Sequence, residues 1–419
     1  MIASLPDQLV QRFFRYLAIP SQSDARATML PSTPGQWRLA ELLAAELAAL
    51  GLADIHLDGN GVLTARLPGT VPGAPCIGFV AHLDTVDVGL SPEIHPQRLR
   101  FEGEDLLLNA EADIWLRVAE HPEILPYRGQ EILLGDGTSV LGADNKAAIA
   151  ILMTLLARLR EDAAGTGAGP AIRHGDIAIA FVPDEEIGLR GAKAMDLDRF
   201  PAAFAYTIDG CERGELIFET FNAAGAVIEI TGVSAHPMSA KGVMVNPVRV
   251  AAELMALFDP LQTPEHTAGR DGYWWFNGIE GGPGSARLSM MIRDFDTEGF
   301  AARKAFVASA VARIQARYPT ARISCRIEDS YGNIDAALGQ DRHCVDLVVQ
   351  AMADMQIQPK VIAMRGGTDG AALSARGLPT PNYFTGGHNF HSRFEFLPVG
   401  SFVDAYRVTE RICALAAGR

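Results

Sequence analysis

Cysteine is scarce in this chain. Cys76, Cys211, Cys325, Cys344 and Cys413 are spread over 419 residues, with no Cys-x-x-Cys among them. An odd number of distant thiols excludes a disulfide frame and a thiolate zinc site, and reads as a protein of a reducing compartment. Long apolar runs are missing too. Leu42 to Leu50 is broken by Glu46, so no membrane-spanning helix is expected. Met1 to Leu17 has no basic start followed by an apolar core, because Asp7, Gln8, Gln11 and Arg12 interrupt it; no signal peptide is expected. Positive charge is in deficit, with 36 Lys plus Arg against 50 Asp plus Glu and a net charge of -14. Nucleic acids and anionic membranes require basic patches, so neither is an expected partner. No Gly-x-Ser-x-Gly elbow occurs, and the scattered cysteines lack a partner base, which argues against a serine or cysteine nucleophile. The expectation is a cytoplasmic protein that tolerates a cationic cofactor.

What is present is ordinary globular composition, 48% hydrophobic and 21% charged, in a chain longer than one compact core usually holds. Two domains follow. Leu5 to Leu17 carries apolar residues at helical intervals. Pro34 to Leu50 is a second predicted helix, with Thr33 as cap, Gln36 as the capping-box acceptor and Gly51 as its stop. Cys76 to Ala81 and Ile177 to Val182 are short unbroken apolar runs, the pattern of strands buried on both faces. Ala203 to Ile208 is a third strand end, and Asn145 to Arg160 a helix beginning just after Asp144. Polar clusters follow the strands, where ligands bind in open α/β sheets. From about Glu215 the order is strand-helix-strand-strand-helix-strand, that of a ferredoxin-like fold. After Ile334 the α/β texture returns. The predicted domains are therefore 1–213 with 335–419, and an inserted 214–334.

Five short motifs carry possible chemistry: His82-Leu83-Asp84, Gly142-Ala143-Asp144-Asn145, Asp184-Glu185-Glu186, Asp209-Gly210 and Phe390-His391. They offer imidazoles and carboxylates without thiols, a set that suits zinc, or manganese or cobalt in its place. A pair of such ions needs a bridging carboxylate. Each motif also has a plain alternative. His-x-Asp could be a surface turn, Asp144 a helix cap, Glu185-Glu186 a solvated pair, Asp209-Gly210 a turn, and His391 a half-buried loop residue. Their joint placement after apolar strands favours one shared cleft.

The motifs also carry a resemblance. Gly78-Phe79-Val80-Ala81-His82-Leu83-Asp84-Thr85-Val86, Leu141-Gly142-Ala143-Asp144-Asn145-Lys146-Ala147 and Phe181-Val182-Pro183-Asp184-Glu185-Glu186-Ile187-Gly188 resemble the M20 metallopeptidases, in particular their tripeptide-aminopeptidase branch. Ala240-Lys241-Gly242-Val243-Met244-Val245-Asn246, Ile292-Arg293-Asp294-Phe295-Asp296 and Arg365-Gly366-Gly367-Thr368-Asp369-Gly370 extend the similarity along nearly the whole chain. The resemblance implies a zinc-peptidase-like α/β catalytic domain with the ferredoxin-like α+β insert as a lid. It implies two zinc ions per subunit. Asp144 bridges them, His82 and Asp209 complete one shell, and Glu186 and His391 the other. Asp84 accepts the free ring N–H of His82, Glu185 is the general base, and His236 stabilises the oxyanion, in dimeric members from the partner subunit. Asn246, Arg293 and Arg365 hold the substrate's carboxylate end, a task that suits the arginine fork; a local salt bridge to Asp294 or Asp296 is the alternative for Arg293. A cis peptide at Asp144–Asn145 and a possible homodimer through the lid belong to the same implication.

Two departures stand out. Asn145 occupies a position that is usually acidic in that branch. Near the C-terminus His391-Ser392-Arg393-Phe394-Glu395-Phe396 keeps the first histidine of the family's motif and has Phe394 in place of the second. His391 is the expected ligand rather than His388, by its spacing to Glu395-Phe396. His56, His95, His121, His174, His266 and His343 are read as structural or surface residues. The expected activity is removal of the N-terminal residue from short peptides, with tripeptides as the expected class; another M20 activity (dipeptidase, carboxypeptidase or N-acyl amino acid deacylase) is the alternative, and a catalytically dead binding protein is disfavoured because neither base nor ligand is missing.

Overall fold

The computed structural model describes residues 4–167 and 170–418. The chain forms two compact units. One runs to Phe218 and resumes over Ala337–Ile362 and from Thr368; the other comprises Glu219–Ala336 and Ala363–Gly367.

An eight-stranded sheet organises the first unit. Its order is Ala53–Leu57, Leu63–Leu67, Ile177–Val182, Ile77–His82, Phe204–Gly210, Asn382–Phe384, Glu215–Thr220 and Lys360–Met364. The four strands from Ile177–Val182 to Asn382–Phe384 run parallel. Ile77–His82 and Ile177–Val182 are buried at every position, which is why their sequences are unbroken apolar runs rather than alternating ones. His82 ends one strand, Asp184 to Glu186 follow the next, and Asp209 lies at the end of a third. Parallel pairing brings these ends to one edge of the sheet.

The helix spans Ala143–Ala163, two residues longer at its start than expected, but Asp144 and Asn145 leave helical geometry in a kink, and the regular helix follows them. The peptide between them is cis, as the resemblance implied. The N-terminal helix Leu5–Leu17 has the expected bounds, and the second spans Pro34–Ala49. Its capping box does not form. Thr33 makes no side-chain cap bond to the helix, and the buried Gln36 donates to Asp184 Oδ1 at 2.6 Å, with a longer bond to Thr33 Oγ1 at 3.3 Å. Gly35 is needed where it stands: a Cβ there would lie 1.7 Å from the Pro20 carbonyl oxygen, so only glycine lets Pro20 lie against the helix.

The segment between His82 and Asp144, to which the sequence pattern assigns no element, contributes Gln97–Phe101 and Gln130–Leu134 to a small three-stranded sheet completed by Phe396–Pro398, and forms a hairpin of Leu106–Asn109 with Ile114–Leu116. Phe101, Leu116, Ile124, Ile132 and Phe396 share its core. Phe396 comes from the far end of the chain, so local periodicity could not reveal the pairing.

In the second unit the strand order is Tyr273–Gly281, Ser285–Asp294, Asn222–Thr231, Arg322–Tyr331, all antiparallel. Helices Pro247–Met255 and Thr297–Arg317 cover one face. Ala224, Ala226, Ile228 and Ile230 alternate inward against Val250, Leu254, Val307 and Ile314, the period-two pattern of a sheet with one covered face. The element order is the ferredoxin-like one expected. The stretch Leu216 to Thr231, strand-like throughout in sequence, is two strands, Glu215–Thr220 and Asn222–Thr231, belonging to different sheets.

Candidate active site

Five side chains converge at the sheet edge of the first unit. Asp144 is central. Its Oδ1 lies 2.9 Å from His82 Nε2 and its Oδ2 lies 3.1 Å from His391 Nε2. His82 Nε2 is also 3.7 Å from Asp209 Oδ1, and His391 Nε2 is 3.0 Å from Glu186 Oε1. Two groups of potential ligand atoms, His82–Asp144–Asp209 and Asp144–Glu186–His391, each fit within 4.8 Å and share Asp144. A third group, His82–Glu185–Glu186, meets the same limit.

The surroundings fix these side chains. His82 is buried, with Nδ1 3.0 Å from the Asp84 backbone oxygen and 3.4 Å from Asp84 Oδ1. Of the two Asp84 oxygens, the backbone carbonyl makes the shorter contact. The Asp84 carboxylate also accepts the backbone N–H of Glu185 at 3.0 Å and of Glu186 at 3.2 Å. Asn145, the departure in the bridging motif, donates Nδ2 to Asp209 Oδ1 and to the Ile208 carbonyl, both at 2.7 Å. Glu395 accepts the Gly142 and Asp144 amides at 2.7 and 3.2 Å. His388 is engaged elsewhere: its Nε2 is 2.7 Å from the Tyr127 hydroxyl and its ring stacks on Phe396. His391, not His388, reaches Asp144.

The electrostatics are those of crowded acids. Burial, then Asp144, pushes Asp209 up to about 6 and Glu186 up to about 7. Burial also raises Glu185 well above the ordinary carboxylate range, with Asp369 and Asp209 adding to it. Asp144 and Glu186 lift His391 to about 11. Burial works against a charged His82, yet Asp144, Asp209 and Asp84 hold its pKa well above the usual value. Glu186 Oε1 is buried and, although near His391 Nε2, has no aligned hydrogen bond. Carboxylates this close repel strongly in a poorly hydrated site. Divalent cations remove that repulsion, and the N/O donor set fits zinc or its first-row neighbours.

Comparison with known proteins agrees with this geometry. Residues 218–322 match the model of a peptidase dimerisation domain. A peptidase T-like protein of Yersinia pestis is 60% identical over 417 residues, covering 100% of both chains. Peptidase T of Bacillus subtilis is 41% identical over 410 residues, covering 97% of this chain and 98% of its own. This chain belongs to the peptidase T family of M20 metallopeptidases. Among solved structures, aminopeptidase PepT of Bacillus cereus has the same fold, with TM-score 0.76 and 21% identity over 98% of this chain and 99% of the other. An M20-family peptidase of Bacillus subtilis described as dinuclear metal-binding superposes with TM-score 0.65 at 13% identity over 98% of each chain.

The four remaining site candidates of this M20 chain lie in the second unit. His236 is exposed and accepts the Met238 amide at 3.2 Å through Nδ1. Asn246 caps the helix Pro247–Met255, accepting from the Val248 amide at 3.0 Å. Arg293 donates to the Ala224 and Ile292 carbonyls at 3.1 and 2.9 Å and sits over the Tyr331 ring; Asp294 is bound by Arg303 instead. Arg365 donates to the Gly269 and Asp271 carbonyls and Thr267 Oγ1, between the rings of Phe221 and Tyr273. The sequence reading missed the work of Asp184, Gln36 and Glu395, although Asp184 and Glu395 stood inside quoted motifs. Position in a motif was the available signal; the hydrogen-bond partners were not readable from it. Among the described residues, no helix is long and apolar enough to cross a membrane.

Proposed function

We propose that this M20 enzyme is a two-metal aminopeptidase that hydrolyses the N-terminal peptide bond of short peptides, with tripeptides as the substrate class. The observation that carries the reading is Asp144, whose two oxygens face two different histidines, each with its own further carboxylate. His82 and Asp209 would hold one ion, Glu186 and His391 the other, and Asp144 both. When bound, such ions acidify a shared water toward a pKa of about 7 and polarise the scissile carbonyl.

The chain's own groups do the rest. Glu185 takes the water's proton and returns it to the departing amine. It is free for this because Glu186, beside it, is the one turned to His391. Asp84 keeps both glutamates in place through their backbone amides. The buried apolar strands Ile77–His82 and Ile177–Val182 lead into His82 and the turn that begins at Asp184. His236 offers a ring nitrogen to the developing oxyanion, and Arg293, Arg365 and Asn246 receive the substrate's carboxylate end. The match to a dimerisation domain over 218–322 supports a homodimer, from which the partner supplies that histidine. Zinc is the proposed metal and the cytoplasm the proposed compartment, in keeping with the thiol-free ligand set and unpaired cysteines.

The test is Glu185→Gln assayed on free, N-acetylated and C-amidated tripeptides. Turnover of free-amine peptides by the parent enzyme and its loss in the variant, at unchanged metal content, is the expected result. Parent activity on N-acetylated peptides alone would refute the aminopeptidase reading; metal loss in the variant would exchange the roles of Glu185 and Glu186.

A further inference from the structure

Asp184 stands directly before the proposed base, and its backbone is in the left-handed region, φ 56°. A non-glycine residue keeps that conformation where its surroundings hold it. Asp184 is fully buried. Its Oδ1 accepts from Ser32 Oγ at 2.5 Å and from Gln36 Nε2 at 2.6 Å, and its Oδ2 accepts the Ser32 amide at 2.9 Å. Its own amide donates to Gln36 Oε1 at 2.9 Å. Gln36, also fully buried, thus meets Asp184 with both ends of its side-chain amide. Arg190 lies 3.3 Å from Oδ2 and donates to the Ala27, Thr28 and Met29 carbonyls.

The next two amides, of Glu185 and Glu186, go to Asp84. Three consecutive backbone N–H groups are therefore held by side chains: one by Gln36 and two by Asp84. The same N-terminal segment also holds the His82 loop, where Ser21 Oγ donates to the Leu83 carbonyl at 2.7 Å and the Ser23 amide to the Thr85 carbonyl at 3.0 Å. Gly35 permits the close approach of Pro20 on which this segment's path depends.

We propose that Gln36 is a positioning residue for hydrolysis: by pairing with both the amide and the carboxylate of Asp184 it fixes the turn that aims Glu185 at the cluster. The inference rests on the reading of Glu185 as base. A leucine at 36 has similar bulk but leaves the Asp184 amide unmet and removes a donor from its carboxylate, so the turn loses the partner that selects its conformation. A glutamate at 36 would oppose a second carboxylate to Asp184 at the distance where Nε2 now donates.

The experiment compares the full-length, metal-loaded enzyme with Gln36→Leu, measuring kcat and KM on a tripeptide separately, metal per chain, and thermal midpoint. The expected result is a fall in kcat of up to about 100-fold, the cost of misplacing a reacting group by about 1 Å, with KM and metal content held. Unchanged kcat in a folded, metal-loaded variant overturns the proposal, whatever the thermal midpoint does. Loss of kcat in step with loss of metal also overturns it, since the turn would then serve ligand retention. Should Gln36→Leu fail to fold, Ser32→Ala removes one donor to the same carboxylate and is expected to lower kcat less, again with metal held; unchanged kcat there overturns the proposal. Full turnover in Glu185→Gln would instead end the reading of the base, independently of Gln36.

Discussion

Replacing Asp84 by asparagine tests how the site is held together without removing a proposed ligand. Asp84 is buried, and its two oxygens accept the consecutive amides of Glu185 and Glu186 while Oδ1 also lies near His82 Nδ1. An asparagine keeps the shape but presents one oxygen and one NH2. One amide keeps a neutral hydrogen bond in place of a charge-assisted one, a loss of about 1 kcal/mol. The other faces a donor and is left unmet in a buried site, costing about 1–3 kcal/mol. The sum, about 2–4 kcal/mol, falls on the turn carrying Glu185 and Glu186. Where it is expressed in the ligand Glu186, metal affinity drops by about 10- to 100-fold, as for other outer-shell partners. Competition with a chromophoric chelator reads that affinity, and urea unfolding of the metal-free protein reads the stability. Near-parent values for both, together with parent kcat, would refute the argument that Asp84 holds this turn.

Asp144→Ala is expected to lose both metal ions at once, since both groups share that carboxylate; metal analysis returning one ion per chain would contradict the bridge. His236→Ala is expected to lower kcat more than it raises KM, and kinetics unaltered in both would make the histidine idle. His174 supplies a stability test away from the site. Its buried ring has a pKa held below the ordinary value by burial. The unfolded chain therefore binds the proton more readily, and the stability tied to the neutral ring is present above the unfolded value of about 6.5 and falls as pH drops below it. Urea midpoints of metal-free protein between pH 7.5 and 5 should decline less steeply in His174→Asn than in the parent. Equal slopes would refute this.

Much of the site was legible because each strand announces itself locally. Ile77–His82 and Ile177–Val182 are apolar on both faces, and a polar side chain at the end of such a strand has few places to be other than the sheet edge. The ferredoxin-like order was readable for the same reason, since alternation and helical periodicity are short-range properties. Other features were not local. Gln36 satisfied the capping-box spacing, yet its partner is 148 residues away. Of the strands between His82 and Asp144, Gln130–Leu134 pairs with the distant Phe396–Pro398, and one strand-like stretch near Phe221 divides between two sheets.

Composition and short motifs by themselves determined the class of chemistry: imidazole and carboxylate donors without thiols, carried at the ends of buried strands, in an acidic chain. Tertiary structure alone decided which oxygen faces which histidine, and that Asp84, Glu395 and Gln36 hold the loops from behind. The physical reason is one of range. Apolar periodicity is written in neighbouring residues, whereas a buried hydrogen bond depends on where two distant segments meet, and the folded backbone alone fixes that.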